Sequence, residues 1–146
     1  MDVKALLESY IPAHKYALLC AREYDALEDA VLKSPKMDGM PRTQSIHGLE
    51  YEAARREAAR KKLDKARTES LKLLEEIENL IDSLDDFDQK QIIRMRYIIG
   101  ADARSCRKMP WDEVAKETNW CRAQVYKIHG MALEVLRRKY DSQRDH

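Results

Sequence analysis

From Val3 onward, apolar residues recur every third or fourth position without a miss: Val3, Leu6, Tyr10, Ala13, Ala17, Cys20, Tyr24, Leu27 and Val31. That period marks the seam of a coiled-coil-like helix. Pro12 interrupts the pattern. Its ring removes one helical donor and predicts a kink, or a second helix starting there. Ser34-Pro35 ends the helix, and Pro35, Gly39 and Pro41 mark a loop reaching to about Ile46. A second long helix is predicted from about Gly48 to Leu84. Its latter half carries Leu63, Ala66, Ser70, Leu73, Ile77, Leu80 and Leu84 at the same spacing, while its first half rests on Leu49, Ala53, Ala54, Ala58 and Ala59. Helices of about thirty residues are roughly 45 Å long. Joined by one loop, two of them fold most simply into an antiparallel hairpin.

The pattern then shortens. Asp86 with Gln89 reads as a capping box for a third helix running to about Ile99, which Gly100 ends. The loop ADARSCRKM follows, carrying Arg104, Arg107 and Lys108, and Pro110 suits the first turn of the next helix. Residues 110–140 read as a short helix, a tight turn and a longer helix with a basic exit. Val114, Ala115, Trp120, Val125, Ile128, Ala132, Leu133 and Leu136 take the packing face. Arg122, Ala123, Gln124, Tyr126, Lys127 and His129 point outward. Trp111 is expected to pack in the core of this unit. Gly130 costs about 1 kcal/mol against Ala inside a helix, which predicts close packing against a neighbouring helix. The tail after Tyr140 is expected to fray. The fold class is therefore all-α: a helical hairpin over 1–84 with its loop at 34–46, then a three-helix, helix-turn-helix module over 85–146.

Charge adds an asymmetry that this division makes meaningful. Charged residues make up 36 % of the 146, a composition that leans towards long helices, yet the net charge is only +1. Residues 1–85 hold 14 Lys/Arg against 17 Asp/Glu, net −3, and residues 86–146 hold 13 against 9, net +4. A basic module behind a mildly acidic one is the distribution expected of a C-terminal part that meets phosphates. Cys20, Cys106 and Cys121 are odd in number and widely spaced, which suggests reduced thiols. With no signal-peptide core and no run approaching a membrane span, a soluble protein of the cytoplasm is expected, with no membrane partner. No His or Cys pair has metal-finger spacing, and no phosphate-cradling glycine loop or activated nucleophile is evident. Neither a metal, nor a cofactor, nor an enzymatic activity is therefore expected.

RAQVYKIHGMALEVLRRK resembles the recognition helix of region 4 of bacterial housekeeping sigma factors, with Val125, Ile128, Ala132, Leu133 and Leu136 in that family's apolar register. PWDEVAKET resembles the first helix of the same unit and QIIRMRY the helix before it, so the likeness covers roughly residues 84 to 140. Behind its helical front half, the chain looks most like the phage late-gene regulators of RinA/ArpU type, in which a linker similar to SPKMDGMPR, Ser34 to Arg42, precedes the second long helix. Cys121 stands where sigma-like sequences usually place a Ser or Thr cap, which predicts a weakly capped helix start.

The resemblance implies double-stranded DNA as partner, in a bacterial host cell, with the second helix of the pair in the major groove. Base contacts fall to Arg122, Ala123, Gln124, Tyr126 and Lys127, since Arg and Lys read guanine and Gln pairs with adenine. Ala123 and Tyr126 replace the charged residues usual in the family, so the site read differs from a housekeeping promoter. Arg104, Arg107, Lys108, Arg137, Arg138 and Lys139 are candidates for the phosphate backbone, and the last three also suit a helix C-terminus. The expected function is a sequence-specific transcription regulator of a phage or prophage, acting beside RNA polymerase and pairing as a homodimer to read two half-sites. Two alternatives stay open: a phage DNA-packaging recognition subunit, and a mimic of sigma region 4 that occupies polymerase without touching DNA.

Overall fold

Five helices account for the described part of the chain, residues 2–33 and 46–144 of a computed structural model, and no strand occurs among them. Helix α1 spans Val3–Lys33 and α2 spans Ile46–Asp82. Helix α3 opens at Phe87–Ile93, passes through a π-helical stretch Arg94–Ile99 and closes with the turn Gly100–Asp102. Helix α4 covers Trp111–Thr118 and α5 covers Arg122–Arg144. The linker Ser34 to Arg42, and the side chains of Val31 and Leu49, lie outside the described residues.

The predicted seams form the hairpin. Val3, Leu6 and Tyr10 of α1 are buried in one cluster with Ile77, Leu80 and Leu84, and further along Ala17 and Cys20 meet Leu63 and Ala66. Lys62 and Glu23 extend the same antiparallel register at 3.6 Å. Burial of each Leu or Ile in such a seam is worth about 1.5–3 kcal/mol. Pro12 does not divide α1: the helix runs through it, with the proline exposed.

The seam widens where the second segment arrives. Leu7 and Ile81, one step off the predicted stripe, are fully buried because Ile93, Tyr97, Ile98 and Ala101 of α3 and Ala132 and Leu136 of α5 cover that end of the hairpin. A single core thus draws on residues both before and after position 85. A second, smaller core joins Ile92 of α3 to Val114 of α4 and to Val125 and Ile128 of α5. Helix α3 lies between the two and is buried on both sides. Its π-helical stretch, in which the Gly100 N–H donates to the Met95 carbonyl five residues back, sits where the helix serves both cores. π-segments of this kind mark places where a helix gives up regular bonding for a side-chain arrangement it needs.

Three local expectations are corrected. Gly100 does not end α3; it is helical, and the helix turns extended only at Ala103. What Gly100 does is let the following loop approach: a Cβ there would meet the Arg107 carbonyl oxygen at 2.4 Å and the Met109 nitrogen at 2.5 Å. Close packing was expected at Gly130 instead, but nothing lies within 4 Å of a Cβ built there. Gly130→Ala is therefore expected to raise the unfolding free energy by about 1 kcal/mol through helix propensity alone. An unchanged or lowered urea midpoint would count against that. The third correction concerns the tail, which stays helical as far as Arg144. Asp86 does cap α3, but through the Asp88 N–H, which its carboxylate accepts at 2.9 Å, and not through the expected box with Gln89.

Candidate nucleic-acid interface

Helix α4 ends at Asn119, whose φ of 61° is left-handed, a conformation that Asn tolerates better than most residues. The chain then passes through Trp120 and Cys121 into α5, and the Cys121 carbonyl accepts the Val125 N–H at 3.0 Å. This reversal lays α5 on α4 and α3. Val125, Ile128, Ala132 and Leu136 are buried, as the apolar register predicts. Trp120 departs from it. At 38 % exposure it sits in the turn, outside the helical spacing that the packing-face reading assumed.

On the opposite side of α5, Arg122, Ala123, Tyr126 and Lys127 are exposed and Gln124 is half-buried, so the five predicted base-contacting residues occupy the first two turns. They are not independent. The Arg122 Nε donates to the Tyr126 hydroxyl at 3.1 Å, its guanidinium lies 5.7 Å from that ring's centre, and Nη1 is 3.3 Å from Asp112 at the start of α4. Both sides of that ion pair are well exposed, so solvent screens it and it adds little to stability. Its effect is to hold the guanidinium over the helix start.

Beneath this face lies an aromatic group. Trp111 meets Tyr126 edge-on at 5.0 Å and His129 edge-on at 4.7 Å, while the Arg96 guanidinium stacks 4.1 Å from the Trp111 ring centre. Trp111 is half-buried against the smaller core, in keeping with its expected packing role. His129 was expected to face outward. It is only 9 % exposed, and its Nε2 is 2.9 Å from the hydroxyl of buried Tyr97. The reason is position: His129 follows Ile128 and sits one turn past Val125, on the side of α5 that α3 covers. Burial, and then the Arg96 charge, push its pKa down to about 4, so the ring is neutral. Burial likewise raises the Tyr97 hydroxyl to about 12.

The basic residues proposed for phosphates divide into two groups. Arg107, Arg137 and Arg138 are exposed; Arg137 lies 3.9 Å from Asp2, and Arg138 lies 3.7 Å from Glu134 on its own helix. Lys108 and Lys139 are committed to the fold. Lys108 pairs with Glu8 of α1 at 2.9 Å, and Lys139 donates to the Ser83 carbonyl. Arg104, exposed like the first group, borders a groove along α1. Arg96 and Asp112 organise the exposed face without a signal in the local pattern. Arg96 lies inside the QIIRMRY motif, but which way it points depends on the π-helical offset.

Among the described residues no cluster of three His, Cys, Asp or Glu side chains is placed to hold a metal ion, and no helix is long and apolar enough to cross a membrane. Over residues 55–137 the chain matches the family described as "Protein of unknown function (DUF1492)", a span that begins in α2 and ends in α5. No curated protein and no solved structure matches it.

Proposed function

The chain belongs to the DUF1492 family, and from that premise we propose that it is a sequence-specific DNA-binding transcription regulator of a phage or prophage, akin to the RinA/ArpU-type late-gene regulators it resembles. The observation that carries this reading is the two-sidedness of α5. Its apolar positions are buried, while Arg122, Ala123, Tyr126 and Lys127 stand exposed together on its first two turns. A helix entering the major groove uses its N-terminal residues in this way. The basic balance of residues 86–146 supports the same reading, because phosphate contacts supply most of the non-specific affinity.

In this proposal Arg122 and Lys127 read base edges, and Tyr126 and Ala123 offer apolar contact to thymine methyl groups. Arg107, Arg137 and Arg138 serve the phosphates. Two copies then span paired half-sites, and activation proceeds through contact with RNA polymerase beside them.

Selection of bound fragments from phage and host DNA at near-physiological salt tests the reading. Enrichment of one intergenic region upstream of late genes is expected. Enrichment at packaging genes would favour a packaging subunit, and no enrichment would favour a module that binds protein alone. On the selected site, Arg122→Ala is expected to lose about 1–3 kcal/mol while barely affecting random duplex, whereas Arg138→Ala weakens both alike. Equal losses on the two duplexes for Arg122→Ala would remove its base-reading role.

A further inference from the structure

Phe87, the chain's one phenylalanine, is 72 % exposed in the first turn of α3. A single exposed apolar side chain is ordinary. Its setting is less so. Asp85 and Asp86 precede it, both exposed, and half-buried Asp88 follows, making an aromatic knob flanked along the chain by carboxylates.

A groove of opposite character runs along α1. Pro12, Leu18 and Leu19 give it an apolar lining, and Lys15, Arg22 and Arg104 give it positive charge. Its volume is about 440 Å³, and no carboxylate lines it. None of the three cations has an ion-pair partner among the described residues. Leu18 and Leu19 are exposed side by side, so apolar surface and unpaired charge coincide. Such a groove fits an acidic segment with an apolar side chain, as the knob is.

The knob cannot fill the groove of its own chain. Phe87 begins α3, whereas Arg104 follows that helix's last turn, Gly100–Asp102. The sixteen residues between hold the two about 24 Å apart. A Phe87 side chain that fills this groove therefore belongs to another copy of the chain.

We propose that two copies of this chain pair by reciprocal insertion of the Phe87 knob into the groove between α1 and the loop at Arg104. Each copy offers one knob and one groove, so a two-fold arrangement satisfies both at once and closes the assembly. Two such contacts are small beside a standard interface, so the pair is weak and weakened further by salt.

Sedimentation equilibrium of the full chain, without DNA, reads the association directly. A monomer–dimer equilibrium that shifts to monomer with rising salt is expected, and Phe87→Ala should weaken it by about ten-fold or more. Charge exchange gives the sharper result. A knob variant, Asp85→Lys/Asp86→Asn/Asp88→Asn, keeps a side chain that caps α3. A groove variant is Arg22→Glu/Arg104→Glu. Each alone should be monomeric, with native circular dichroism, and an equimolar mixture should recover the dimer because each knob then faces a groove of opposite sign. A wild-type chain that stays monomeric at every concentration overturns the proposal. So does a dimer indifferent to Phe87→Ala, or a mixture that stays monomeric while both variants are folded. Because DNA is absent, failure here leaves the DNA-binding reading standing, and failure to enrich DNA leaves the pairing standing.

Discussion

Gly100→Ala is expected to destabilise the protein by about 3 kcal/mol or more, against the usual preference for Ala in helices. The added methyl has no vacant direction. It would lie 2.4 Å from the Arg107 carbonyl oxygen and 2.5 Å from the Met109 nitrogen, and both are backbone atoms. The loop that carries them is held three times over. The Arg107 N–H donates to the Gly100 carbonyl at 3.2 Å, the Met109 N–H donates to the Arg96 carbonyl at 3.0 Å, and the Arg96 Nη1 donates back to the Met109 carbonyl at 2.6 Å. Moving the loop by the ångström the methyl requires strains all three, each worth about 1 kcal/mol. It also disturbs Lys108, whose bond to Glu8 ties the loop to α1. Urea unfolding of Gly100→Ala beside Gly130→Ala checks the argument, since the two should move the midpoint in opposite directions. A Gly100→Ala midpoint equal to wild type would show that the loop yields freely.

The second large effect concerns acid. His129 is buried against Tyr97, Trp111 and Arg96, with the Lys4 and Lys108 charges also raising the cost of protonation. Its pKa falls from the ordinary 6.5 to about 4 in the folded chain. Above pH 6.5 the ring is neutral whether folded or not, and stability does not depend on it. Between 6.5 and 4 the unfolded chain takes up a proton that the folded chain refuses, so stability falls as pH falls. By pH 4 the loss approaches about 3 kcal/mol, and below that the contribution is constant. Carboxylates titrate in the lower part of this window too, so the informative quantity is the difference between wild type and His129→Gln. The variant should lose less stability between pH 7 and pH 4.5. Parallel curves would mean that the imidazole is hydrated or finds room to turn outward.

The long helices and their seams were legible because their signal is repetition. Val3 to Cys20 and Leu63 to Leu84 repeat often enough that no single residue decides the register, and the buried residues follow it. The outward face at Arg122, Ala123, Tyr126 and Lys127 was legible for the same reason, being the complement of a buried stripe. The misses occur where one element packs against two others. Leu7 and Ile81 are buried by a segment far away in sequence, so their helix's own period does not announce them. His129 looks polar in a list of residues, but a neutral imidazole with a tyrosine partner is at ease inside. Close approach falls at Gly100 and not at Gly130, because a glycine's neighbours belong to tertiary structure and leave no mark in the local pattern. Trp120 lay in a turn that a left-handed Asn119 set one step out of phase.

The contacts that close the main core also set an order of events during synthesis. Tyr10 donates to Asp102 at 2.9 Å, and Val3, Leu6 and Leu7 share a cluster with Ala132 and Leu136. Helices normally form within microseconds from local bonds, and bundles rich in local contacts fold quickly. Here the first turns of α1 await residues translated more than a hundred positions later. At about 5–20 residues per second, that leaves Leu7, which α3 and α5 cover, open for several seconds. The ribosome-bound chain thus carries a sticky helical end for most of its synthesis, a stage at which a chaperone that grips apolar helices has the most to hold.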